Sequence, residues 1–191
     1  MKTPTYPRAL LVIDVQESFR HRPYWQAEEL SPFLVNTQSL IDRSRERAVP
    51  VLQVFHQEPG PDVSNPFHPD SGLVRAMPEL RLNADAVFYK EVHSCLFGRT
   101  ATGTTLEQWL RQHEVEEILV TGIRTEQCCE TTTRHASDSG FKVCFATDAT
   151  LTFPMQSRSG RRFSTAEIRE RTELVLDGRF ARVTSASEAL E

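Results

Sequence analysis

The chain is predicted to fold as an α/β protein, one three-layer α/β/α domain over residues 1–191 built on a six-stranded, mainly parallel sheet. Three observations predict this class. Apolar runs of strand length recur along the chain, and segments of helical length separate them. The first run is apolar almost throughout rather than alternating, as a strand covered on both faces must be. No internal repeat, low-complexity tract or linker interrupts the 191 residues, a length that one hydrophobic core accommodates.

Residues 8–15 (RALLVIDV) form the first strand. A helix follows to about Arg47, with Ser31 as N-cap and Pro32 at the first helical position. Residues 49–55 (VPVLQVF) read as the second strand. From Gln57 to Pro78 the chain is punctuated by Pro and Gly, which predicts a long loop, and loops of this length in compact domains are often functional. Residues 85–89 supply a third strand, 104–112 a helix and 116–121 a fourth strand. A helix beginning near Cys128 stops at Gly140, and residues 141–146 make the fifth strand. Ser164-Thr-Ala-Glu167 has capping-box spacing and opens a helix to about Leu176, and residues 180–184 close the sheet. Strands alternating with helices in this way require right-handed crossovers.

Composition removes several functions. With 39% hydrophobic and 25% charged residues, this is an ordinary globular chain. A net charge of −4 gives no electrostatic case for nucleic acid or an acidic membrane surface. No run approaches the ~18 consecutive apolar residues of a membrane span. The polar start MKTPTYPR leads straight into a strand and lacks a signal-peptide pattern, so a cytoplasmic location is expected. Cys95, Cys128, Cys129 and Cys144 do not make a disulfide framework, and none has C-x-x-C spacing.

In such folds ligands bind beyond the carboxyl ends of the strands. Asp14 closes the first strand, Lys90 closes the third and Cys128 follows the fourth. Each alone has a plain reading, as a turn-forming Asp, a solvated Lys or a packed Cys. Together they form a chemical set: a carboxylate that takes the thiol proton, an ammonium that steadies the charges, and a thiolate that attacks a carbonyl carbon. Cys128 at the start of a helix is also expected to favour thiolate, through the helix dipole and the unpaired N–H groups.

Three runs carry a resemblance: LLVIDVQESF, FYKEVHSCLFGRTATGTTLEQWL and VTGIRTEQCCETTTRHASDSGFKVCFATDAT. In order and spacing they resemble the signature blocks of the isochorismatase-like cysteine hydrolases, a superfamily with a Rossmann-like sheet. The resemblance places the catalytic residues on Asp14, Lys90 and Cys128, choosing Cys128 over Cys129. It implies a cis peptide at Ile123–Arg124 and an oxyanion hole built from the backbone N–H groups of Arg124 and Cys128. It sets Gln16 and Phe19 near the pocket, where His56, Phe67, His68 and Phe97 are candidates for its wall. The implied reaction is hydrolysis of a C–N bond in a small amide, N-carbamoyl or ureido compound through a thioester, with no cofactor, by a homo-oligomer.

Two departures bear on the substrate. Nicotinamidases of this superfamily carry D-x-H at the second strand end, where this chain has Val54-Phe55-His56, so no metal is expected, although His56 and His68 with Asp62 or Asp70 could in principle ligate one. Members that cleave a vinyl ether typically lack the Cys. The alternatives are such a vinyl-ether hydrolase, or a non-catalytic thiol sensor or binding protein. The Arg124 side chain is expected to meet an anionic substrate group or solvent, Glu126 to cap the following helix by its charge, and Arg158, Arg161 and Arg162 to form a solvated or subunit-contact segment.

Overall fold

The computed structural model describes residues 3–191, so Met1 and Lys2 of the polar N-terminal run lie outside it. Eight strands occur in chain order: β1 (Arg8–Ile13), β2 (Val51–His56), β3 (Ala86–Lys90), β4 (Glu117–Ile123), β5 (Lys142–Leu151), β6 (Met155–Gln156), β7 (Arg162–Phe163) and β8 (Arg182–Thr184). Six of them form one sheet in the order β3-β2-β1-β4-β5-β8, and every pairing is parallel. β6 and β7 make a separate antiparallel hairpin. The α-helices are α1 (Leu30–Glu46), α2 (Leu106–Gln112), α3 (Glu130–Asp138) and α4 (Thr165–Leu176). None is long and apolar enough to cross a membrane.

Alternation along β1 explains the layers. Leu10 and Val12 join one buried cluster with Phe33, Leu40 and Ile41 of α1. Ala9, Leu11 and Ile13 join another with Leu106 and Leu110 of α2, Ala136 of α3 and Leu176 of α4. Successive strand residues point to opposite faces, so β1 feeds both cores and is apolar from Ala9 to Ile13. The predicted three-layer α/β/α class and six-stranded parallel sheet are what the chain forms.

Some boundaries differ from expectation. Helix α1 starts at Leu30, not after Ser31, because Phe33 N–H already bonds Glu29 O. Glu29 makes no side-chain cap; its carboxylate instead accepts from Thr165 and pairs with Arg169 across to α4. Strand β5 runs on to Leu151, with a register shift against β4 between Val120 and Gly122. The long segment after β2 is pinned along its length: Glu58 N–H to Phe67 O, Met77 N–H to Val15 O, and Glu17 N–H to Arg75 O.

Candidate active site

Asp14, Lys90 and Cys128 converge at the carboxyl end of the sheet. Asp14 leaves β1 with φ +54°, a left-handed conformation that Asp tolerates better than most residues. Its N–H bonds Val54 O, which fixes the carboxylate at the strand mouth. Lys90 Nζ donates to Asp14 Oδ2 at 2.7 Å and to Cys128 Sγ at 3.3 Å. The Asp14 and Lys90 side chains are wholly buried, and Cys128 is 7% exposed. Burial opposes the Lys90 charge, but the Asp14 carboxylate, Cys128, Cys95 and the hydrogen bond to Asp14 outweigh it, so its pKa is raised. Lys90 is therefore a fixed cation.

Cys128 sits inside a single π-helical turn, Thr125–Cys129, that continues into α3. Burial pushes its thiol well above the ordinary value, the Asp14 carboxylate adds to this, and Lys90 opposes it. The resting group is a thiol. This corrects the expectation that a helix start makes it a thiolate, since loss of solvent outweighs the helix dipole here. Cys129 is fully buried and its thiol is pushed up by burial, then by Cys128 and Cys95.

The turn that carries Cys128 is held close to β1. Gly122 has φ +138°, and a Cβ on it would overlap Ile13 O. Only glycine permits that approach. The next peptide bond, Ile123–Arg124, is cis. Thr125 and Thr150 hydroxyls meet at 2.8 Å, and Thr150 donates to Thr147 O, which ties the turn to β5.

The remaining named residues separate into two groups. His56 pairs with Lys90 in register, so both side chains leave the same face of the sheet. Burial lowers the His56 pKa and Lys90 lowers it further, against Asp14 and Glu58, so the ring is neutral. Gln16 is fully buried but occupied: its amide donates to Ser18 Oγ and His56 O and accepts from His56 N. It joins the ends of β1 and β2. Phe19 packs edge-on against Phe67 at 4.9 Å within the core. Phe97 does not join the wall; it is 59% exposed and rests on His135 at 4.9 Å.

A ligand set of the nicotinamidase kind does not fit. Val54 is a buried core residue, and both His68 ring nitrogens are engaged, with Gly60 O and Asp70 N. Among the described residues, no group of three His, Cys, Asp or Glu side chains is placed to hold a metal.

Arg124 departs from the roles read in the sequence, while Glu126 sits as the acidic residue of the first turn, where its charge was expected to act. Arg124 is buried, with Nη2 2.8 Å from Glu126 Oε1, and its guanidinium lies 4.7 Å from the Tyr24 ring. Glu126 Oε2 also accepts from Thr152 at 2.5 Å. Tyr24 was not legible in the sequence, for it lies in an irregular stretch with no periodicity. Its phenol pKa is raised by burial, against Arg124 and Arg22, and Cys128 adds to the rise, which places Tyr24 within electrostatic reach of the candidate nucleophile. A groove of about 590 Å³ between the hairpin and α4 has Glu126 on its wall but none of Asp14, Lys90 and Cys128.

Comparison with known proteins bears on the family and the fold. The family model described as Isochorismatase domain matches residues 8–187. The chain is 32% identical over 157 residues to Nicotinamidase 3 of Arabidopsis thaliana, covering 76% of this chain and 73% of that protein. It is 32% identical over 162 residues to the nicotinamidase/pyrazinamidase of Mycobacterium tuberculosis, covering 75% and 86%. In fold it is similar to a cysteine hydrolase from Pseudomonas syringae pv. phaseolicola, with TM-score 0.81, 22% identity and coverage of 98% and 96%.

Proposed function

The chain belongs to the isochorismatase family of hydrolases, and from that premise we propose that it cleaves the C–N bond of a small amide, N-carbamoyl or ureido compound through a thioester on Cys128. The observation that carries the reading is the position of Lys90 Nζ, 2.7 Å from Asp14 Oδ2 and 3.3 Å from Cys128 Sγ in a buried site. A nucleophile, a base and a cation within contact distance make up the acyl-transfer set.

Asp14 takes the Cys128 proton as the sulfur attacks the carbonyl carbon. The resting thiol still holds that proton, so no charge beyond the Asp14–Lys90 pair has to be buried before the substrate arrives. Lys90 stays cationic throughout and offsets the negative charge as it passes from carboxylate to sulfur. The backbone N–H groups of Arg124 and Cys128 are the proposed donors to the developing oxyanion. Collapse breaks the C–N bond, and protonated Asp14 returns its proton to the leaving nitrogen. Asp14 then takes a proton from water as the water oxygen attacks the thioester, the carbon–sulfur bond breaks, and Asp14 gives that proton to the departing sulfur to restore the thiol.

His56 is proposed to contact the substrate, being the neutral polar side chain that shares a sheet face with Lys90. Nicotinamidase activity belongs to the two plant and bacterial relatives; the buried Val54 and the engaged His68 favour a different amide here.

Ammonia release from a panel of primary amides, N-carbamoyl compounds and ureides tests the reading. Turnover is expected to vanish in Cys128→Ala and to persist in Cys129→Ala. Full activity in Cys128→Ala would overturn the thioester route.

A further inference from the structure

Charge is balanced pair by pair among the residues that follow the strand ends. Lys90 faces Asp14 at 2.7 Å, Arg124 faces Glu126 at 2.8 Å, and Arg22 faces Glu58 at 2.7 Å. Cys128 and His56 are both neutral at rest. The Arg124–Glu126 pair is the informative one. Its side chains are 8% and 10% exposed, and their contact is Coulombic rather than an aligned hydrogen bond, since neither Arg124 Nε nor Glu126 Oε1 has a hydrogen-bond partner among the described residues.

Two more buried polar atoms on residues next to Lys90 lack partners: Asp14 Oδ1 and His56 Nδ1. Neutral His56 turns Nε2 toward Glu58 Oε1 at 3.5 Å, which puts the ring proton there and leaves Nδ1 as an acceptor. The unfilled capacity is then three acceptors, Asp14 Oδ1, His56 Nδ1 and Glu126 Oε1, against one donor, Arg124 Nε, so a donor-rich end suits the site. A single –CO–NH2 end offers two donors and one acceptor. A carboxylate offers acceptors only, and it would enter a buried site with no unmatched cation to receive it.

We propose that Glu126 is a specificity-determining residue: by neutralising Arg124 at the start of the turn that carries Cys128, it restricts the site to uncharged carboxamide or ureido substrates and turns away their carboxylate analogues. The proposal rests on Cys128 as the reactive group. It goes beyond the C–N reading by fixing the charge of the substrate. Removing the Glu126 charge without changing its shape leaves Arg124 unpaired, and the preference then shifts toward anions.

Alkylation of Cys128 by iodoacetamide and by iodoacetate tests this without knowledge of the substrate. The reagents are nearly isosteric, one neutral and one anionic; in each case a carbon–sulfur bond forms, iodide leaves and the thiol proton is lost. Rates at Cys128 are read by peptide mass spectrometry and normalised to free cysteine in the same buffer. Wild type is expected to favour iodoacetamide by about tenfold or more beyond free cysteine, the scale of one buried charge at short range. Glu126→Gln is expected to remove that preference by a similar factor, and Glu126→Asp to keep it. A wild-type ratio equal to that of free cysteine, or equal rate changes for both reagents in Glu126→Gln, overturns the proposal. The wild-type ratio decides alone if the variant does not fold. Failure of ammonia release on the amide panel counts separately, against the C–N reading.

Discussion

Lys90 answers to two partners whose charges change during the proposed reaction, while it is itself buried with Asp14 and screened from water. Its removal leaves a carboxylate alone in a low-dielectric site, and breaking one side of a buried pair costs about 3–5 kcal/mol. Lys90→Met is therefore expected to lower unfolding stability in urea by about that amount and to abolish turnover. Adding Asp14→Asn should recover most of the stability and none of the activity; if the double variant is no more stable than the single one, the loss comes from packing rather than from the stranded charge. Asp14, Lys90 and Cys128 were legible in the sequence because each closes or follows an apolar run, which is where ligands meet a parallel sheet. Choosing Cys128 over the adjacent Cys129 took the family resemblance. The structure then places Lys90 against the Cys128 sulfur and leaves Cys129 fully buried. Tyr24 and the Arg124–Glu126 pair were hidden, since contacts between an irregular segment and a turn roughly a hundred residues away leave no local pattern.

Helices and strands were read with unequal success, and caps mark the difference. Ser164 accepts from Glu167 N–H while the Glu167 carboxylate receives Ser164 N–H, so α4 begins at the predicted residue. Ser164→Ala is expected to cost about 1 kcal/mol in thermal or chemical unfolding and to leave turnover unchanged, because the cap lies outside the contact set of Asp14, Lys90 and Cys128. A fall in turnover at full stability would tie that helix end to the site. At α1 the same residue type misled, since Ser31 lies within the first turn of a helix that opens two residues earlier than expected. β5 was read too short because Thr147 and Asp148 look like turn formers. Here Thr147 O accepts from Thr150 and the Asp148 carboxylate accepts from Ala186 N–H, so tertiary partners carry the strand through. The β6–β7 hairpin, two residues to a strand, is too short for any periodicity to show.

Across the whole molecule, four free thiols are buried, and all have folded-state pKa values above the ordinary one of 9.0. Burial, foremost in each case, pushes Cys95 up to about 12 and Cys144 up to about 11. The unfolded chain thus releases these protons first as pH rises. Their contribution to stability is complete below about pH 9 and is lost as pH climbs through the folded values, at ~1.4 kcal/mol per thiol per pH unit. Unfolding free energy measured from pH 9 to pH 11 should fall steeply, and Cys144→Ala should make the fall shallower by about that increment per unit. An unchanged slope would mean that Cys144 ionises freely in the fold. The sheet order has a separate consequence, for synthesis. β1 is central, yet its two neighbours are made far apart in time: β2 soon after it, and β4 only once β3 and α2 have emerged. Through that interval the nascent chain displays a bare strand edge that is apolar from Ala9 to Ile13, the kind of surface on which chains aggregate. Stalled ribosomes and chaperones would meet this protein at its most vulnerable midway through translation, before residue 117 is added.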